Sequence, residues 1–215
     1  LITFPYSSRI LLAEGIGEVN FYQSIISYIS LVVGLGMPLY AVREIARVRN
    51  DREQLNITTI EILSLHGITT LAGYLIVAIL CFTVSKVQAD LSLFLLLSSS
   101  IFLTTIGCEW FYKGIEDFKY ITVRGLVVRI VGIILLFTLV KTKNDILWYG
   151  ITITLTSVGN NIFNFVRLRK YLSISKCSYY KINPFKHLKS VGITFLLILL
   201  STIYLTLNPV ILGFM

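Results

Sequence analysis

Apolar residues gather along the chain into seven stretches, at about Leu1–Ala13, Gly17–Val42, Thr59–Val84, Leu91–Tyr112, Phe118–Val140, Ile146–Leu168 and Val191–Leu207. All but the first have at least the ~17 residues that a membrane-spanning helix needs. Leu1–Ala13 covers only ~20 Å as a helix, against a hydrocarbon core of about 30 Å, and reads as the end of a first span. Inside a bilayer a helix satisfies its own backbone, so the pattern predicts an all-α polytopic membrane protein with about seven spans. Lys86–Asp90 and Lys141–Asp145 predict tight turns, whereas Arg43–Asn56 and Arg169–Ser190 are longer and basic. The chain begins at Leu1 without a methionine and stops at Gly213-Phe214-Met215, so both ends read as cut from a longer protein.

Composition supports the membrane reading. Of 215 residues, 55% are hydrophobic and 14% charged, and the mean hydropathy is +0.80. Soluble domains carry about a quarter charged residues and could not hide this much apolar surface. The net charge of +8 would suggest nucleic acid in a soluble protein. Here it describes topology instead. Arg43, Arg47, Arg49, Arg52, Lys113, Lys119, Arg124, Arg129, Arg167, Arg169, Lys170, Lys176, Lys181, Lys186 and Lys189 fall on one side or in its adjoining span; Arg9, Lys86, Lys141 and Lys143 fall on the other. The positive-inside rule places the richer side in the cytoplasm, with no nucleic-acid partner implied. Cys81, Cys108 and Cys177 form neither a paired framework nor a zinc spacing.

Polar residues inside the spans are the candidates for function. Arg129 lies near the midplane of its span, where a charge costs at least ~2.5–3.5 kcal/mol and must face protein or water. A structural ion pair with Glu109 or Glu61 and a functional charge are equal alternatives. Arg124, five residues earlier, reads on its own as a side chain snorkelling to the inner interface. Gly125 and Gly132 in the same span suit close helix packing. Arg9 follows Pro5, Ser7 and Ser8, where a kink frees carbonyls that are tolerable beside a cavity. Asn20, Gln23, Ser24, Ser27 and Ser30 form one polar helix face; Thr152, Thr156, Asn160 and Asn164, with Ser157 and Asn161 beside them, form another. Ser98–Ser100, Thr104 and Thr105 extend that character to the fourth span. The amides point to a hydrated lumen more than to packing. His66 reads as a helix-contact histidine, and Tyr179–Lys189 as a bilayer-surface segment or a linker between halves. No Walker loop, nucleophile elbow or H-E-x-x-H helix is present, and nothing looks catalytic.

Two stretches carry a family resemblance. The first runs from Phe4–Arg9 through Gly15-Ile16-Gly17-Glu18-Val19-Asn20-Phe21 to Gly36-Met37-Pro38-Leu39-Tyr40 and Arg43-Glu44-Ile45-Ala46. The second is Glu109-Trp110-Phe111-Tyr112-Lys113-Gly114-Ile115-Glu116-Asp117-Phe118, followed by Tyr120-Ile121-Thr122. Together they closely resemble the O-antigen and capsular repeat-unit flippases of the Wzx type, within the multidrug/oligosaccharidyl-lipid/polysaccharide exporter superfamily. Asp145, Gly159-Asn160-Asn161 and Asn208–Gly213 fit in order, so the resemblance covers essentially the whole chain. Leu12-Ala13 departs from it, since family members commonly have a glycine there.

The resemblance implies a six-helix bundle lobe over 1–168, with its first helix truncated. A basic cytoplasmic linker over 169–190 and a further transmembrane helix over 191–215, opening a second lobe, complete the chain. It also implies a non-enzymatic transporter of the bacterial inner membrane. Such a protein moves undecaprenyl-diphosphate-linked oligosaccharide to the periplasmic leaflet by alternating access, with a polysaccharide polymerase and chain-length proteins as companions. Arg9, Arg124 and Arg129 then become stations for the diphosphate, and Gln23, Asn160 and Asn164 contacts for sugars. Glu109 becomes a gating residue, with a static salt bridge as its alternative, and Trp110 an interfacial belt residue. No cofactor or metal is implied; coupling to protons or to sodium stays open. The competing readings are a cation-coupled drug exporter of the same superfamily, a membrane-embedded polymerase or acyltransferase, and a non-transporting scaffold. The deepest charge being an arginine weighs against the first, and the short loops against the second.

Overall fold

The computed structural model describes residues 3–172 and 182–214, with side chains as far as residue 201. Every regular element among the described residues is helical: α1 (Thr3–Gly34), α2 (Met37–Val48), α3 (Arg52–Thr83), α4 (Ser85–Ala89), α5 (Leu91–Gly107), α6 (Glu109–Gly114), α7 (Phe118–Leu139), α8 (Ile146–Val158), α9 (Asn160–Tyr171), a 3-10 turn at Pro184–His187, and α10 (Leu188–Phe214). Among the described residues, five continuous runs are long and apolar enough to cross a membrane: Thr3–Val48, Arg52–Thr83, Leu91–Gly114, Phe118–Leu139 and Pro184–Ser201. The seven apolar stretches map onto these runs and one interrupted helix. The first two share α1, which breaks at Leu12, while the sixth is divided at Gly159 into α8 and α9, each too short alone.

The break in α1 sits where the glycine is missing. Leu12 has φ 59° and ψ −179°, a region that only glycine enters without strain, at a cost of about 1–3 kcal/mol for another residue. Its side chain is 56% exposed and loses little packing if removed. Leu12→Gly is therefore expected to raise the melting temperature of the detergent-purified protein, by the equivalent of about 1 kcal/mol after glycine's own entropy cost. A lowered melting point would show that the leucine side chain matters more than the backbone.

Other boundaries have ordinary causes. The Asp51 carboxylate caps α3, accepting the N–H groups of Glu53 at 3.0 Å and Gln54 at 3.1 Å. Gly36, at φ 74°, and Pro38 turn the chain from α1 into α2. Cys108, at φ 42°, ends α5 and redirects the chain into α6. In the 140–145 turn, the backbone N–H groups of Lys141 and Thr142 hold the Asp145 carboxyl below the usual carboxylate range.

Three apolar clusters hold the helices together. Val19, Tyr22, Ile26 and Ile29 of α1 meet Val77 of α3 and Phe94 and Leu97 of α5. Met37, Tyr40 and Ile45 of α2 meet Ile62 of α3, Phe111 and Tyr112 of α6 and Leu168 of α9. Leu11 and Ile16 meet Leu136 and Val140 in the third. Tyrosines tie the ends: buried Tyr22 donates to the Lys86 carbonyl at 2.7 Å, and half-buried Tyr6 to that of Val140 at 2.8 Å.

Small residues mediate close contacts, as expected of helices packed in lipid. A Cβ on Gly132 would run into the Thr156 side chain, and one on Gly73 into Val33. Gly125 does not pack this way: nothing lies within 4 Å of where its Cβ would be, and it lines a cleft instead. Trp110 is also not a belt residue. The turn at Cys108 points α6 inward, and Trp110 is buried in the α2–α3 cluster.

Candidate functional site

Among the described residues, three clefts between the helices meet at Ser157, which lines all of them. The first, of about 520 Å³, lies where α1, α5 and α8 converge, and brings Gln23, Ser27 and Ser30 together with Ser100, Thr104 and Thr154. From the sixth apolar stretch, Thr154 and Ser157 line this cleft, while Thr152, Thr156 and Asn160 of its expected polar face line the other two. The second, of about 470 Å³, passes Ser7, Thr152 and Thr156 to reach Arg129. The third, of about 490 Å³, continues from Arg129 to Arg124, Asn160 and Glu109.

Several hydroxyls on these walls spend their proton on their own helix. Thr156 donates to the Thr152 carbonyl at 2.7 Å, Ser157 to that of Ile153 at 2.8 Å, and Thr104 to that of Ser100 at 2.7 Å. They therefore offer acceptor lone pairs to whatever fills the clefts. Donors come from Gln23, half-buried on α1, and from the guanidinium groups.

The two arginines of α7 have opposite surroundings. Arg124 is 6% exposed. One terminal nitrogen donates to Asn164 Oδ1, and the other lies 3.4 Å from Glu109 Oε2. Its guanidinium also lies 5.4 Å from the Tyr120 ring. Glu109 is shared, with Lys113 Nζ at 2.8 Å. Arg129, one and a half turns further along, is exposed on the wall between the second and third clefts. It has no ion-pair partner among the described residues, neither Glu109, held by Arg124 and Lys113, nor Glu61, held by Lys186 and His187.

The other candidates separate. Asn164 is fully buried, holding Arg124 through Oδ1 and accepting the Tyr112 hydroxyl on its backbone carbonyl at 2.7 Å, and is not a lining residue of the clefts. Asn160 lines the third cleft with a buried, unpartnered Oδ1. Arg9 is exposed on α1 three residues before the Leu12 break and lines none of the three clefts. His66 is buried with Nδ1 unpartnered. Of the Tyr179–Lys189 segment, Tyr179–Lys181 lie outside the described residues.

One cluster was invisible in the sequence. Glu61, fully buried on α3, accepts the backbone N–H of Asn183 at 2.9 Å, Lys186 Nζ at 2.6 Å and His187 Nε2 at 3.0 Å. The only prior signal was a carboxylate in an apolar stretch, which says that a partner exists but not which one.

Comparison with known proteins agrees with this polar interior. A family described as polysaccharide biosynthesis protein matches residues 1–215. A protein of Shigella dysenteriae named as an O-antigen transporter is 26% identical over 215 residues, covering 99% of this chain and 53% of its own length. A protein of Escherichia coli (strain K12) named in the same way is 23% identical over 146 residues, covering 68% of this chain and 35% of its own. The chain thus spans about half the length, or less, of the curated relatives it matches. No solved structure matches it significantly.

Proposed function

We propose, for a chain that belongs to the polysaccharide biosynthesis protein family, that it forms one lobe of a flippase for undecaprenyl-diphosphate-linked oligosaccharide. The chain is a multi-pass, all-helical membrane protein. On this reading the lobe rocks against a second one, so that the clefts face the cytoplasm and then the periplasm. The basic loops lie on the cytoplasmic side of the inner membrane. The diphosphate visits Arg129, whose planar donors match phosphate oxygens. The sugars exchange weak hydrogen bonds with Gln23, Asn160 and the serine and threonine acceptors. Arg9 lies further along the same route, at the outer end. A polysaccharide polymerase and chain-length proteins take the delivered repeat units.

The observation that carries the proposal is Arg129. A guanidinium without an ion-pair partner among the described residues, set in an apolar stretch of α7 and between two joined clefts, is costly in a membrane unless an anion or water meets it. It also weighs against a carrier of cationic drugs, because the one carboxylate lining these clefts, Glu109, already faces two cations. Cells lacking the protein are expected to accumulate lipid-linked repeat units and lose surface polysaccharide, with both restored by the native gene. Normal export in its absence would reject the reading.

A further inference from the structure

The Glu61 cluster has a shape that the transport site does not explain. All three groups that meet the carboxylate come from the short segment 183–187, just before α10, while the carboxylate itself stands on α3. The chain of bonds continues to α2: Tyr40 Oη lies 2.6 Å from His187 Nδ1, with the rings edge to face at 5.6 Å. With Nε2–H donating to Glu61, Nδ1 accepts the tyrosine proton, so the neutral imidazole satisfies both neighbours. A second contact lies further up α10. Gly36 faces the backbone of Thr194 and Phe195 so closely that a Cβ would stand 2.8 Å from the Phe195 nitrogen. A buried carboxylate is stable only when its lone pairs are all used in good geometry. A backbone N–H, an ammonium and an imidazole use them here, which makes the joint a fixed fastening and not a sliding surface.

We propose that Glu61 is a positioning residue, fastening the base of α10 to α2 and α3 throughout the transport cycle. Residues 183–195 then travel with the first lobe, and the hinge between lobes lies in α10 beyond Phe195. The proposal rests on the rocking-lobe reading above.

The test is a covalent replacement of the fastening. Tyr40→Cys/His187→Cys is made in the native protein with Cys81, Cys108 and Cys177 changed to serine, and closed with a short bismaleimide. Export of surface polysaccharide should fall at least tenfold in the open variant and return to within twofold of its parent on cross-linking. Export blocked by the cross-link would mean that the joint must open; export unaffected in the open variant would mean that it is not needed. Either result overturns the proposal. A second measurement leaves the joint intact: in the purified native protein, the Asn183 amide should stay protected from hydrogen exchange with and without undecaprenyl diphosphate. Protection lost on adding that lipid also overturns it. The exchange experiment reads the joint whether or not the protein exports polysaccharide, so its failure is distinct from failure of the flippase reading.

Discussion

Arg129→Ala is expected to stop or strongly reduce polysaccharide export while leaving the amount of membrane-inserted protein unchanged. Arg129 is exposed and unpaired among the described residues, so its removal breaks no folded contact, and such substitutions usually change stability by less than about 0.5 kcal/mol. What is lost is the charged donor between the clefts. Hydrogen bonds to charged groups are worth about 1.5–3 kcal/mol each, so losing one predicts a decrease of about tenfold to a hundredfold. Arg129→Lys keeps the charge but not the two-pronged donor, and is expected to retain part of the export. Lipid-linked oligosaccharide and protein level, measured in the same cells, check both. Unchanged export would remove Arg129 from the route.

Arg124→Ala should do the reverse and lower stability. Arg124 is buried against Asn164, Glu109 and Tyr120. Its loss leaves Asn164 Oδ1 without its donor beside an Nδ2 that already lacks a partner. Breaking a buried pair costs about 3–5 kcal/mol. The figure here is smaller, about 2–3 kcal/mol, because Glu109 is 37% exposed and keeps Lys113 at 2.8 Å. Arg124→Met fills the space without the charge and should lose less. Thermal unfolding in detergent separates the two variants; equal melting points for Arg124→Ala and the parent would show that the buried bonds contribute nothing. Both arginines line the third cleft, but Arg124 is already held by Asn164 and Glu109, whereas Arg129 has no ion-pair partner among the described residues.

The spans and the polar faces could be read along the chain because both are periodic. Gln23, Ser27 and Ser30 of one expected face line one cleft, and Thr152, Thr156 and Asn160 of another line the two beside it. What spacing cannot show is which helix meets which. Arg124, read alone as an interfacial side chain, finds its partner 40 residues later, and Glu61 finds His187 126 residues later. Nor do Leu35 and Cys108 carry any sign of a backbone break, since each adopts a positive φ without being glycine; at Leu12 the sign comes only from the glycine common in the family it resembles. Trp110 and Gly125 were misread for the same reason. The turn at Cys108 decides where Trp110 points, and the cleft beside α7 decides what Gly125 faces.

On the function proposed above, the protein moves an anionic lipid-linked sugar across a bilayer. The most direct test is reconstitution of the purified native protein into liposomes carrying undecaprenyl-diphosphate-linked oligosaccharide in both leaflets, with a membrane-impermeant glycosidase added outside. The account predicts cleavage of nearly all the sugar with wild-type protein, and of only the outer-leaflet half with Arg129→Ala or with protein-free liposomes. Cleavage limited to the outer leaflet in all three would contradict it.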